Sequence, residues 1–487
     1  MIRASNAVRV ATLTLALAAG GSVAAADFPT APPAPGPAPT LTVPTPSLQS
    51  LDNGLQVVSV RRAGLPLVTA QLLVRSGGER DPQARAGLAD LTAHLLAKGA
   101  AGRTAPQIAA QAEALGSSLD AAAGWDESAV GITVTTPKLP QALALLSDVV
   151  RRPDFSAEEL KRAQTQAIDD LRLELSQPTA LARLVANRVV FGEGAYGHSR
   201  AGTPGSLARI ERQDVQALHA SLYRPDNAVL VFTGDIAPTQ ALALAQASFG
   251  DWKAPATPLP AAPSGGAANT LPALLAIDQH GAGQAGVVAA HQAPPRNDAD
   301  FYIGTVANAV LGGSYSARLN EEIRIKRGLS YGASSALDPR RDTGLWLASA
   351  QTKNPSAAQV VDLMLGEFDR LGATPLGADE LAARKATLIG SYGRSLETTA
   401  GLAARVGDLA VYGIDLADIG RYIQRVQAVT PAQIQAYAKA HLGDAKVVVV
   451  GDAAQFGAAL AKAHPQVRTL RADALDLDSV TLQPAGK

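Results

Sequence analysis

Apolar residues recur along this chain with two periods. Leu55–Val60 and Leu67–Val74 alternate apolar and polar positions and read as strands, separated from what precedes by the turn Asp52-Asn53-Gly54. Gly87–Lys98 switches to helical spacing, with Leu88, Leu91 and Leu95 on one face. The same spacing predicts helices over Ala105–Leu115, Leu139–Val150 and Ser156–Leu175, the last opened by a capping-box pair, Ser156 and Glu159. Ala129–Thr135 and Asn227–Gly234 read as further strands. After a Pro/Ala/Gly-rich run, Ala254–Ala268, the order resumes: strands at Leu274–Ile277, Ala285–Ala290 and Gly344–Gln351, and helices at Phe301–Val310, Ser356–Arg370, Ala378–Leu396 and Ala400–Val411.

The two runs share an ending. Ala220–Asp235, ASLYRPDNAVLVFTGD, and Tyr437–Asp452, YAKAHLGDAKVVVVGD, are each a helix end, a short turn, an apolar strand and Gly-Asp. An offset of about 217 residues is far longer than a solenoid repeat and implies two homologous domains. The fold class expected is therefore α+β, each domain a mainly antiparallel sheet with helices packed on one face. The boundaries expected are 47–253 and 274–470 for the domains, 254–273 for the linker and 471–487 for a tail.

One stretch carries candidate chemistry. In Ser314–Tyr331, SYSARLNEEIRIKRGLSY, the residues Tyr315, Leu319 and Ile323 share a helical stripe, Gly328 ends the helix and Leu329–Ser334 alternates as a strand. This corner brings Arg324 and Tyr331 near each other, a guanidinium fork and a phenol able to bind a carbonyl oxygen. Spacing alone favours the plainer reading, in which Arg324 compensates the helix C-terminus and Tyr331 is half-buried packing.

Composition narrows the class. The chain has 487 residues, 47% hydrophobic and 18% charged, with no net formal charge, which suits a large globular core and gives no basic excess for nucleic acid. Cysteine is absent, so disulfides, thiolate metal sites and cysteine nucleophiles are excluded. Met1–Ala26 reads as a secretory signal: Arg3 and Arg9, the apolar stretch Val10–Ala19, and the small-residue end Ala24-Ala25-Ala26. Export, most simply to a bacterial periplasm, is expected, and the Pro-rich segment up to Pro46 (27–46) reads as an extended tether.

Several motifs together resemble the pitrilysin/insulinase-type zinc metallopeptidases, the inverzincins that include the mitochondrial processing peptidases. They are Gly87–Gly99, Tyr223-Arg224-Pro225-Asp226-Asn227, Thr233-Gly234-Asp235, Leu311-Gly312-Gly313 with Ser316-Ala317-Arg318-Leu319, and Gly328-Leu329-Ser330-Tyr331. The resemblance covers Ser47 to Leu470 and implies two such domains arranged as a clamshell. In that family a helix carries His-x-x-Glu-His, both His ligating zinc and the Glu serving as base, with a further Glu roughly 75 residues on. Here those five positions are Asp90-Leu91-Thr92-Ala93-His94, and the downstream position falls at Asp169 or Asp170. Ala93 cannot accept a proton, so no complete catalytic set and no metal site are expected in this chain. The resemblance places Arg324 and Tyr331 at the positions that bind substrate backbone and carbonyl oxygen in active subunits.

Three readings follow. The chain is similar to a bacterial two-component member that lacks the motif and supplies Arg324 and Tyr331, while a homologous partner with an intact His-x-x-Glu-His supplies zinc to a peptide-hydrolysing site. Alternatively it is an inert peptide-binding or scaffold protein of the same fold. A self-sufficient hydrolase using a metal at Asp90 and His94 is opposed by Ala93.

Overall fold

Strand segments marked out by the apolar pattern pair into two six-stranded sheets. The computed structural model describes residues 42–266 and 269–484; the signal segment and most of the Pro-rich tether expected from the sequence lie outside them. Val43–Lys487 forms one unit. The first half supplies Ser47–Ser50 (β1), Gln56–Arg61 (β2), Leu67–Val74 (β3), a small hairpin of Gly99–Ala100 (β4) and Arg103–Thr104 (β5), then Asp120–Ala123 (β6), Ser128–Thr135 (β7) and Ala228–Gly234 (β8). The second supplies Leu274–Asp278 (β9), Ala285–Ala293 (β10), Ser330–Pro339 (β11), Gly344–Thr352 (β12), Lys446–Gly451 (β13) and Arg468–Arg471 (β14).

The sheets run β1-β2-β8-β3-β7-β6 and β14-β9-β13-β10-β12-β11. Position by position these are one topology. β2 and β8 pair in parallel, as do β9 and β13. The remaining inner pairings are antiparallel in both sheets. Only the outer strand differs: β1 joins β2 antiparallel, whereas β14 joins β9 in parallel. The repeated endings seen in the sequence are β8 and β13, which fill the same place in each sheet. Two homologous α+β halves with mainly antiparallel sheets are thus present.

The central strands are apolar at consecutive positions, which is the mark of a sheet buried on both faces. In β8, Ala228, Leu230 and Phe232 enter the core under the first half's own helices, while Val229 and Val231 point to the opposite face. In β13, Val447 and Val449 likewise face one core and Val448 and Val450 another. Each half's own helices cover one face, as the fold class expected from the sequence has it. The second face is covered by the other half. Helix Thr399–Val411, with Leu402, Val406 and Leu409, packs on Val58, Val60, Val229 and Val231 of the first sheet. Helix Pro178–Phe191, with Leu181, Val185 and Val189, packs on Leu275, Ile277, Val288, Val448 and Val450 of the second.

Close approach at both exchanged helices uses glycine. A Cβ on Gly286 in β10 would lie 2.5 Å from the backbone of Thr179, and one on Gly407 in the 399–411 helix would lie 2.6 Å from Leu73 Cδ1. The linker is tied down by Arg80 to the carbonyls of Pro260 and Ala261 and by Arg224 to that of Thr257. In the C-terminal tail, Asp478 meets Thr203 and Arg209, and Leu482 is buried against the 178–191 helix cluster.

The exchange makes a testable point. Gly286→Ala should push the 178–191 helix off its sheet and cost about 1–3 kcal/mol, the usual scale for overpacking. Gly283→Ala, whose Cβ would meet nothing within 4 Å, is the control. Urea unfolding midpoints of the two variants should separate clearly; equal midpoints would mean the helix seat is slack.

Candidate functional site

Helix Leu88–Leu95 carries Asp90, Ala93 and His94, the positions that the resemblance aligns with the zinc motif. Its start is held by the buried Asp81 carboxylate, which accepts from Gly87 N at 2.9 Å and Ala89 N at 2.8 Å. Gly87 takes φ +93°, a turn that favours glycine. One face of the helix, Leu88, Leu91 and Leu95, enters the first core, as the apolar spacing predicts.

The positions matching the metal motif do not converge on a site. Ala93 is fully buried, packed with Ala89 against Ala123 of β6. Asp90 Oδ1 accepts from Arg200 Nη1 at 3.0 Å, so its charge is already matched. His94 is exposed, and burial of part of its ring together with nearby Lys98 lowers its pKa, while Asp90 and Glu159 oppose that shift. Asp169 pairs with Arg172 at 3.1 Å, and Asp170 accepts from Gln166 at 2.8 Å, both on the exposed side of helix Ala157–Leu175. The core side of that helix presents Gln164 instead, bonded to the carbonyls of Leu207 and Ile210. Among the described residues no three His, Cys, Asp or Glu side chains group as metal ligands. This donor set does not fit zinc, which needs a near-tetrahedral cluster of uncommitted ligands.

The Arg324 corner is built differently from its sequence pattern. The helix begins only at Arg318, after the extended Ala317, and continues as a π-turn over Glu321–Ile325. Leu319 and Ile323 are fully buried as the stripe requires, but Tyr315 lies before the helix and is 64% exposed. Arg318 forks onto Glu380 with two bonds of 2.9 Å, and Arg384 bonds Ser316 Oγ at 2.7 Å, pinning the segment to helix Ala378–Ser395. Gly328, at φ +62°, turns the chain, and its N–H bonds Arg324 O at 2.9 Å.

β11 then begins with a bulge, its register against β12 slipping between Ser330 and Ala333. Ser330 Oγ bridges to the backbone of Gly332, so Tyr331 is lifted out of the ladder. Tyr331 is 90% exposed. The structure brings Arg324 and Tyr331 together: Arg324 Cζ lies 5.0 Å from the Tyr331 ring centre and 4.8 Å from that of Tyr315. The guanidinium is thus held by two aromatic faces, a cation–π contact on each. It makes no hydrogen bond to another side chain or backbone group among the described residues. A pocket of about 560 Å³ opens beside it, lined by Arg324 and Tyr315 from this corner and by Thr179 and Arg183 from the exchanged helix. Sequence reasoning missed Arg183, because nothing in the local pattern tells that its helix crosses to the other half.

A separate cavity of about 510 Å³ lies between the halves, lined by Gln71 and Glu127 from one and by Arg296, Tyr302, Asp408 and Tyr412 from the other. Behind it sits Asp126, fully buried. It accepts from Tyr196 Oη at 2.6 Å, from Tyr412 Oη at 3.0 Å and from Arg341 N at 3.0 Å. Arg340 is buried over Trp125, Phe191 and Tyr196 and pairs with Asp338 at 2.9 Å. Nearby, burial lifts the Glu79 carboxyl to about 7 against the opposing Gly77 N–H, and burial with Asp126, Asp408 and Asp338 lifts Glu127 to about 7.

Fold and site together describe two halves of one topology in which Asp90, Ala93, His94 and Asp170 do not gather as metal ligands. Residues 56–190 match the family description "Insulinase (Peptidase family M16)", and residues 209–388 match "Peptidase M16 inactive domain". The chain belongs to this insulinase-type family. A peptidase M16 inactive domain from Pseudomonas fluorescens superposes with a TM-score of 0.77 at 27% identity, covering 83% of this chain and 98% of that one. A protease from Helicobacter pylori shares the fold, with a TM-score of 0.79 at 19% identity over 84% of this chain and 100% of that one. An uncharacterized zinc protease of Streptomyces coelicolor is 24% identical over 399 residues, 81% of this chain and 86% of the relative. Among the described residues no helix is long and apolar enough to cross a membrane.

The buried carboxyls generate a pH prediction. The unfolded Glu79 carboxyl titrates near 4.5 and the folded one near 7, so the folded state binds this proton more tightly. The resulting stability is fully present below about 4.5 and is lost as pH rises to about 7. Glu79→Gln, which keeps an acceptor for Gly77 N–H, removes that loss. Its urea midpoint relative to wild type should rise between pH 5 and pH 8 (about the span of the two pKa values). A difference that is flat with pH would refute the assignment.

Proposed function

We propose that this chain is the non-catalytic, substrate-binding subunit of a periplasmic zinc metallopeptidase, working with a homologous partner that carries an intact His-x-x-Glu-His. The observation that carries this reading is the contrast between the two halves of the site. Ala93, at the position of the base, is sealed against Ala123, whereas Arg324 lines a pocket, its guanidinium with no hydrogen-bond partner among the described residues, and Tyr331 stands exposed beside Arg324. Zinc in the partner would activate the attacking water. This chain's part is to bind and orient the peptide.

Hydrolysis places negative charge on the scissile carbonyl oxygen. Arg324 brings a permanent charge to that oxygen, and the Tyr331 hydroxyl donates a second hydrogen bond. The rings of Tyr315 and Tyr331 hold the guanidinium before substrate arrives, so little reorganisation is needed. The periplasmic location rests on the Arg-flanked apolar leader of Met1–Ala26.

Two measurements test the reading. The purified chain alone should hold no stoichiometric zinc and cleave no peptide; zinc at one equivalent, with hydrolysis lost in His94→Ala, would sink it. Mixed with its motif-bearing partner, Arg324→Gln and Tyr331→Phe should each assemble normally yet slow cleavage by about a hundredfold or more, as loss of one such donor does elsewhere. Arg324→Lys should not restore the rate, because an ammonium lacks the planar fork. Full activity in both variants would favour an inert scaffold of the same fold.

A further inference from the structure

The pocket beside Arg324 is lined by cationic and no anionic side chains. Its charged lining residues are Arg183 and Arg324; no Asp or Glu lines it. Arg183, from the first half, donates Nη2 to Ser349 Oγ at 2.8 Å, which orients its fork, and meets no carboxylate among the described residues. Arg324 donates to none of them either. Thr179 Oγ1, one helical turn before Arg183, is buried with no partner. Ser334 adds another hydroxyl to the lining. Two like charges therefore share one pocket with no carboxylate among its lining residues. An anionic acceptor seated there offsets that repulsion. Tyr315 in the lining and Tyr331 beside Arg324 expose aromatic surface of the kind that anchors peptides.

We propose that this pocket reads a peptide carboxylate, with Arg183 as the specificity-determining residue that pairs with it while Arg324 and Tyr331 hold the neighbouring backbone. The inference rests on the substrate-binding reading above and adds a substrate class to it: peptides bearing an acidic group next to the segment held by the Arg324 corner. A carboxylate suits the site because a guanidinium fork offers it two parallel bonds. The group comes from an Asp or Glu side chain or from a peptide C-terminus; the chemistry is the same.

The test uses the full mature chain and fluorescein-labelled decapeptides of Ala, Gly and Ser with one central Glu or Gln, each made as C-terminal acid and amide. Anisotropy titration in low salt should give about tenfold tighter binding for a carboxylate-bearing peptide than for the Gln amide, a gap that narrows as salt screens the pair. Preference for the Glu amide assigns the side chain as the source, and preference for the Gln acid assigns the C-terminus. Arg183→Gln should reduce the gap to below about twofold. Arg183→Lys should retain part of it, since the charge remains without the fork. Arg324→Gln should instead weaken all four peptides alike. Unfolding midpoints of the variants equal to wild type show that binding, not folding, has changed. Equal binding of all four peptides, no binding of any, or a gap that survives Arg183→Gln overturns the inference. Those outcomes leave the partner-dependent cleavage assay of Arg324→Gln and Tyr331→Phe untouched, so the two readings fail separately.

Discussion

Each sheet in this protein has two apolar faces and only one set of its own helices to cover them. That constraint organises the rest. An apolar strand face left in water costs about 25 cal/mol for each Å² exposed, so the second faces under Val229 and Val231, and under Val448 and Val450, must be buried by something. The chain meets the need by exchange, sending Pro178–Phe191 onto the second sheet and Thr399–Val411 onto the first. The halves are therefore coupled through their cores, and the Asp126 cluster adds a buried polar lock at the seam. Removing one donor of such a lock would leave a buried oxygen short of a hydrogen bond, a cost of about 1–3 kcal/mol.

The exchange also decides where chemistry is placed. Because the 178–191 helix crosses over, Thr179 and Arg183 of the first half reach the pocket beside Arg324 of the second. Such a composite site is held in place as long as both cores are intact. Helix Leu88–Leu95 is arranged differently. Its Ala93 is packed against the edge strand β6, and its Asp90 is engaged by Arg200. At the other place the chain holds a guanidinium between two tyrosine rings.

Much of this was legible in the residues. The twin endings at Asp235 and Asp452 reflect a repeated topology, and each lies just past the strand that fills the same place in its sheet. Leu88, Leu91 and Leu95 face the core at the spacing that a helix imposes. The approach of Arg324 to Tyr331 was readable because Gly328 makes a short, local corner. Tyr315 was misplaced by the same reading, since Ala317 stays extended and delays the helix to Arg318. The 178–191 helix escaped notice, although Pro178 at its first turn and Leu181, Val185 and Val189 at i, i+4 spacing were available as signals.

Periodicity, glycine placement and residue identity are local properties, so the amino-acid sequence by itself determined the two-halved α+β plan, the Arg324–Tyr331 corner and a side chain at Ala93 that cannot accept a proton. Which face of which sheet each helix covers is a long-range choice among apolar surfaces of similar quality. Only the tertiary structure decided it, and with it the reach of Arg183 across the seam, the burial that raises Glu79 and Glu127, and the cavity between the halves. Those features depend on distances between residues far apart in the chain, which no local pattern encodes.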